Sequence, residues 1–277
     1  MKKTLSIFVT ALLMGVNLFA QGLKTPQAST TQTIKQDFAL SSIEINYSRP
    51  SMKGRTIFGD LVPFGKPWRT GANSATKITF GEDVKVGGVT VKAGSYALYT
   101  IPGQSEWEVI LNKGTGNWGV MGFNAADNVA KFKVEPIDVG FPTETFSMQI
   151  GNVKDNSAEI MLWWESTAII FPVTADIDTK IMADIDKAMN VDSKPYFAAA
   201  GYYYENGKDL TKALAWVNKA VEANPKAYYM FLLKARIQAK MGDKAGAKIT
   251  SLKSLELAKE GGNPDYVALN EKLLKTL

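Results

Sequence analysis

The chain has 277 residues, 45% of them hydrophobic and 21% charged, which excludes a disordered tail and suits two domains of modest size. Histidine and cysteine are both absent, which excludes thiol nucleophiles, histidine-based triads, Cys/His zinc centres, iron–sulfur clusters and disulfide frameworks. Catalytic chemistry is left to carboxylates, Lys, Tyr, Ser and Thr, and the residues call for no cofactor and no metal site.

Lys2 and Lys3 precede an apolar stretch from Leu5 to Ala20 that ends in Asn-Leu-Phe-Ala before Gln21. This is the pattern of an export signal peptide over residues 1–20, cleaved after about Ala20. The stretch is shorter than the roughly 20 residues that span a bilayer, and a polar run from Thr25 to Thr33 follows it without a basic flank. The mature protein is therefore expected in the periplasm or outside the cell, with no stable membrane insertion. It carries 30 Lys and Arg against 27 Asp and Glu, a net +3. No segment concentrates the basic field that nucleic acid demands, so nucleic acid is not an expected partner.

Residues 21–174 read as one domain of short strands. Ile43, Ile45 and Tyr47 share one side of Ser42–Tyr47, and Gly87-Gly88 makes a two-residue turn between Asp83–Val86 and Val89–Val91. Lys77-Ile-Thr-Phe80 reads as strand. Further runs cover 95–101, 106–111, 129–135, 144–150, 158–164 and 168–173. In Ala130-Lys-Phe-Lys-Val134 the lysines alternate with Phe132 and Val134, as on a sheet with one wet face. So many strands without intervening helices imply an antiparallel β-sandwich or jelly-roll-like domain.

Residues 175–277 switch to helical spacing, with helices expected over 176–190, 194–206, 209–223, 226–241, 243–260 and 264–276. Gly201, Ala213 and Ala220 recur 34 residues later as Ala235, Ala247 and Ser254, small residues where helices approach closely. Phe197…Gly201…Tyr204…Ala213…Val217…Ala220…Pro225 resembles the tetratricopeptide pattern, with Tyr204 at a large core position. The second copy, from Phe231 to Lys259, is degraded. The fold class is thus all-β followed by all-α, a sandwich and then a tetratricopeptide-like helical hairpin array.

The chain has four arginines against 28 lysines, and Arg49, Arg55 and Arg69 fall within one turn-rich stretch, Tyr47 to Thr76. Guanidinium is a planar fork that grips carboxylate, phosphate or sulfate through paired hydrogen bonds, which Lys cannot reproduce. Long ordered loops of this kind commonly carry function. Tyr-Ser-Arg-Pro-Ser-x-Lys-Gly-Arg-x-Ile-Phe-Gly and Leu-Val-Pro-Phe-Gly-x-x-Trp-Arg-Thr-Gly-Ala-Asn-x-Ala-Thr, followed by Ala93–Gly103, Glu106-Trp107, Ile110–Lys113 and Trp118-Gly119, resemble secreted bacterial proteins grouped as domain-of-unknown-function family 2911. The resemblance covers about residues 30–172. It implies a fold and an exported location, and no catalytic role.

Arg49, Arg55 and Arg69, with Trp68, Asn73, Asn112, Lys113 and Trp118, are the candidate rim of a pocket for a small polar, anionic or glycan-like ligand, since Trp faces stack on sugars while Arg and Asn give directional bonds. The structural alternative ties Arg49 and Arg69 to carboxylates such as Asp60 or Glu108 and places the tryptophans in the core. No catalytic residue stands out. Ser74-Ala-Thr-Lys77 matches Ser-x-x-Lys, yet reads as strand rather than helical turn. Glu106 and Glu108 share a strand face without a sign of desolvation. The leading expectation is a noncatalytic exported protein that binds a small ligand or envelope component, with the helical repeat as a protein-interaction module. The alternatives are an envelope interaction protein without a small-molecule site, and a hydrolase of glycans or esters using carboxylates or Ser.

Overall fold

The structure, a computed structural model, describes residues 25–191 and 194–277. The export segment expected over residues 1–20 lies outside the described residues. The chain divides into two compact units between Ala175 and Asp176.

Strands of the first unit are β1 Thr30–Phe38, β2 Ser41–Arg49, β3 Thr76–Phe80, β4 Val84–Val86, β5 Val89–Val91, β6 Gly94–Ile101, β7 Trp107–Asn112, β8 Asn128–Val134, β9 Ile137–Gly151 and β10 Ser157–Thr174. They form two antiparallel sheets, one in the order β1-β2-β3-β6-β7-β8 and one in the order β5-β4-β10-β9. Side chains of the two sheets meet between them. Tyr47 of β2 lies edge-on to Phe146 of β9 at 5.7 Å, and Phe132 of β8 to Phe171 of β10 at 5.5 Å. The fold is therefore a sandwich whose interior is filled by alternate residues such as Ile43, Ile45, Ile160 and Leu162. Gly87 and Gly88 have φ of 55° and 84° and join β4 to β5 in the expected tight hairpin.

Three departures from the sequence reading have physical causes. β1 is an edge strand in which Ile34 and Phe38 are the only strongly apolar residues, so alternation did not announce it. The runs at 158–164 and 168–173 are one strand, because the break at Glu165 is a bulge: the register with β9 slips on both sides of it and its φ is 55°. Finally, Tyr96–Thr100 and Val109–Asn112 are buried without alternation. The 113–127 segment covers their outer face, with Phe123 at 4.8 Å from Tyr99 and Asn117 Nδ2 donating to the Tyr99 hydroxyl at 3.1 Å.

The second unit holds α1 Asp178–Ala188, α2 Tyr196–Glu205, α3 Leu210–Ala223, α4 Tyr228–Lys240, α5 Lys244–Glu260 and α6 Pro264–Leu274, a helical array with each boundary within two residues of expectation. Asp209, Asp243 and Asn263 cap α3, α5 and α6 by accepting backbone N–H bonds, which satisfies donors the first turn leaves orphaned. Ala213, Ala235, Ala247 and Ser254 are all inaccessible to solvent, as close helix approach requires. Tyr204 is not the buried ring. Tyr203 is, edge-on to Trp216 at 4.7 Å, while Tyr204 stays half-buried under Lys240 Nζ, 4.9 Å from the ring centre. Among the described residues no helix is long and apolar enough to cross a membrane.

Candidate functional site

Residues 50–75 form no long strand, yet the sheets hold their backbone. Met52 N–H donates to Glu144 O, Phe146 N–H to Pro50 O, and Ala72 N–H to Ser48 O. Trp68 and Thr100 exchange both backbone bonds, at 2.7 and 3.0 Å, so residue 68 continues the sheet beside β6. Alternation then sends Trp68 inward and Arg69 to the other side. Trp68 packs with Phe146 at 5.2 Å and Trp164 at 6.0 Å, and its Nε1 donates to Gly71 O at 3.1 Å. It is a core residue with one edge at the site. The next residue, Thr70, is fully buried with a φ of 52°, an uncommon conformation for a β-branched side chain, held by its hydroxyl 3.1 Å from that of Thr100.

The three clustered arginines do different things. Arg49, at the end of β2, donates from Nε to Phe146 O at 3.1 Å and from Nη2 to Ser147 Oγ at 2.7 Å. It ties one sheet to the other, through a carbonyl and a hydroxyl rather than a carboxylate. Arg55 is exposed and folds back on its own turn, bonding Met52 O at 2.8 Å and Ser51 O at 2.6 Å. Arg69 is half-buried, and its Nε is buried without a hydrogen-bond partner among the described residues. Among the described residues its guanidinium forms no ion pair either: Glu108 pairs with Lys131 at 2.8 Å, and Glu106 with Lys133. Asp60 is exposed in the loop.

Arg55 and Arg69 line one hollow of about 430 Å³ with Lys53 and Lys66. No Asp or Glu stands among its lining residues. The rest of the wall is largely apolar, with Leu61, Val62, Pro63, Trp68, Val120 and Trp164. Four cations over an apolar floor can hold an anion whose body is partly hydrophobic. Arg69 supplies the sharpest element, because a buried guanidinium N–H without an acceptor costs on the order of 1–3 kcal/mol until something accepts from it.

The other expected rim residues divide. Asn73 and Trp118 line a second hollow of about 490 Å³, and Trp118 is 60% exposed. Asn73, at a φ of 60°, donates to Ser29 O at 3.4 Å and Ser48 Oγ at 3.2 Å. Asn112 is fully buried and organises the loop that follows it, donating to Asn124 O and Asn128 Oδ1 at 2.9 Å each and accepting from Gly114 N–H at 2.8 Å. Lys113 is exposed and lines neither hollow. Arg49 lines neither as well.

Tyr47 lies on the second hollow, and its hydroxyl donates to Gln32 Oε1 at 2.9 Å and accepts from Met148 N–H at 2.9 Å. Burial raises its pKa above that of a free phenol, opposed by the Met148 N–H bond and by the charge of Arg49. Ser74 bridges to Trp118 and Lys77 lies in β3, so Ser74-Ala-Thr-Lys77 is extended. Sequence reasoning passed over Lys53 and Lys66. Both lie in the arginine-bearing stretch, and counting every cation there would have included them.

No curated protein and no solved structure matches the chain. A family model described as a protein of unknown function, DUF2911, matches residues 29–173, which take in all but the last residue of the sandwich strands and all of the lining of both hollows except Gln27 and Ala28. The chain belongs to the DUF2911 family.

Proposed function

We propose that this is an exported, noncatalytic binding protein whose sandwich takes up a small anionic ligand in the 430 Å³ hollow, with Arg69 as the central contact and Arg55, Lys53 and Lys66 at the rim. The observation that carries this reading is that Arg69, whose Nε is buried without a partner among the described residues, lines a cationic hollow that has no carboxylate in its lining. Glu106 and Glu108, the acids a hydrolase would draw on, are each occupied by a lysine of β8, which favours binding over hydrolysis. The signal-like residues 1–20 support export to the periplasm or beyond. The buried small residues at 34-residue spacing support a tetratricopeptide-like array that serves as an interaction module.

A thermal-shift titration tests the reading with inorganic sulfate, inorganic phosphate and galacturonate, and with uncharged galactose as the control at matched ionic strength. At least one anion raises the Tm, galactose leaves it unchanged, and Arg69→Met removes the rise. A rise that survives in Arg69→Met, or no rise with any anion, overturns it.

A further inference from the structure

The two hollows are neighbours built by the same segments. Ala28 and Ser29 line both, and three further segments place residues in each. At the end of β2, Ser48 faces the second hollow and Pro50 the first. In the loop before β3 the corresponding pair is Asn73 and Arg69, and after β7 it is Trp118 and Val120. Residues two apart in the chain lie within about 7 Å, so the hollows are separated by no more than one or two sugar rings.

Their chemistries differ. The first is cationic, as described. The second has no charged residue in its lining, which is mainly amides and hydroxyls, Gln27, Thr31, Asn46, Ser48, Asn73 and Ser74, with Trp118 beside them. A tryptophan 60% exposed next to a ring of neutral donors and acceptors is a stacking platform without an occupant of its own chain. A pyranose fits such a surface: its C–H face stacks on the indole while its hydroxyls meet the amides.

Resting on the anion-binding reading above, we propose that the ligand is an acidic oligosaccharide that spans both hollows, its carboxylate or sulfate at Arg69 and a neighbouring ring on Trp118. A peptide is disfavoured because, the aromatic residues Tyr47 and Trp118 apart, the second hollow offers only Ala28 and Ala75 as apolar lining, against many hydroxyl-matching groups.

The experiment is isothermal titration of the mature protein with an oligogalacturonate tetramer, a sulfated carrageenan tetrasaccharide, neutral cellotetraose, galacturonate monomer and tetraglutamate. At least one acidic tetrasaccharide binds about ten-fold or more tighter than galacturonate, cellotetraose binds far more weakly, and the preferred tetrasaccharide tells carboxylate from sulfate. Trp118→Ala lowers tetrasaccharide affinity about ten-fold and leaves galacturonate affinity as in the parent; Arg69→Met abolishes both. If galacturonate binds through Arg69 but the tetrasaccharides gain nothing, or Trp118→Ala has no effect on them, this inference fails while the anion site stands. If Arg69→Met binds galacturonate like the parent, the anion site itself fails and the inference with it. Tetraglutamate binding tighter than either acidic tetrasaccharide overturns the glycan assignment in favour of an acidic peptide.

Discussion

A β-carbon built on Gly119 would stand 2.7 Å from Nη1 of Arg69, and Gly119 sits at a φ of 65° with its carbonyl accepting from the Tyr99 hydroxyl at 3.3 Å. The loop after β7 therefore presses its backbone on the guanidinium at the one residue type that leaves room. Gly119→Ala costs about 1 kcal/mol or slightly more through the left-handed backbone alone. It also displaces the guanidinium, so galacturonate affinity falls several-fold although Arg69 is still present. Chemical denaturation and a binding titration on the same variant separate the two effects, and an unchanged affinity would show that the contact does not position Arg69.

Arg49 and Arg69 respond in opposite ways to the same substitution. Arg49→Met removes two bonds that join the sheets, taking the side-chain donor from Phe146 O while Ser147 Oγ keeps only its bond to Thr145 O, so stability drops by about 2 kcal/mol while ligand affinity is kept. Arg69→Met removes a half-buried cation with an unbonded Nε, so the melting temperature of the ligand-free protein holds or rises. A paired melt of the two variants reads this directly; a large loss in Arg69→Met would mark it as a structural tie.

Tyr47 makes stability depend on alkaline pH. Its folded pKa is raised above 10.0 by burial, so the folded state holds the phenol proton more tightly than the unfolded chain does. The contribution is complete below the unfolded pKa of about 10 and is lost as pH rises through the folded value. Tyr47→Phe flattens that alkaline limb and lowers stability at neutral pH by about 1 kcal/mol through the lost bonds to Gln32 and Met148. Phenolate absorbance against pH, with and without the substitution, is the check.

At the acid end the helical unit has its own titrating contact. Lys208 and Tyr202 each bond the Asp178 carboxylate at 2.8 Å, Lys208 first and Tyr202 second in holding its pKa below 3.8. A depressed carboxylate adds stability above its unfolded pKa and loses it as pH falls through the folded one. Asp178→Asn therefore removes part of the acid dependence of helix melting, monitored by circular dichroism at pH 2–5 as an approximate range around the free carboxylate value. The effect is small, because the pair is largely solvated.

Local signals made the helices and the β4–β5 hairpin legible: apolar residues at helical spacing, and paired glycines at 87 and 88. The site was legible only as a segment. Nothing in the sequence separates Arg49 from Arg69, because the partners of Arg49 are Phe146 and Ser147, 97 and 98 residues away. Trp68 and Trp118 were equally ambiguous until the backbone exchange with Thr100 fixed which face residue 68 presents. Asn112 resembles a rim residue by type and position, but both ends of its amide are consumed by the loop that follows. Tyr203 and Tyr204 differ by one residue, and a helix turns each neighbour by about 100°, so a single position of error exchanged core for surface.

With four arginines in the chain, the Nε–H region of a proton–nitrogen correlation spectrum contains four side-chain signals, which single substitutions assign. Two of them, from Arg49 and Arg55, belong to Nε–H groups that already donate to the carbonyls of Phe146 and Met52, whereas the Nε–H of Arg69 has no acceptor among the described residues. Titration with galacturonate at constant ionic strength should shift the Arg69 signal and slow its exchange with water while Arg49 stays in place. An Arg69 signal that does not respond, or four signals that drift together, would contradict the assignment of this guanidinium as the ligand's anchor.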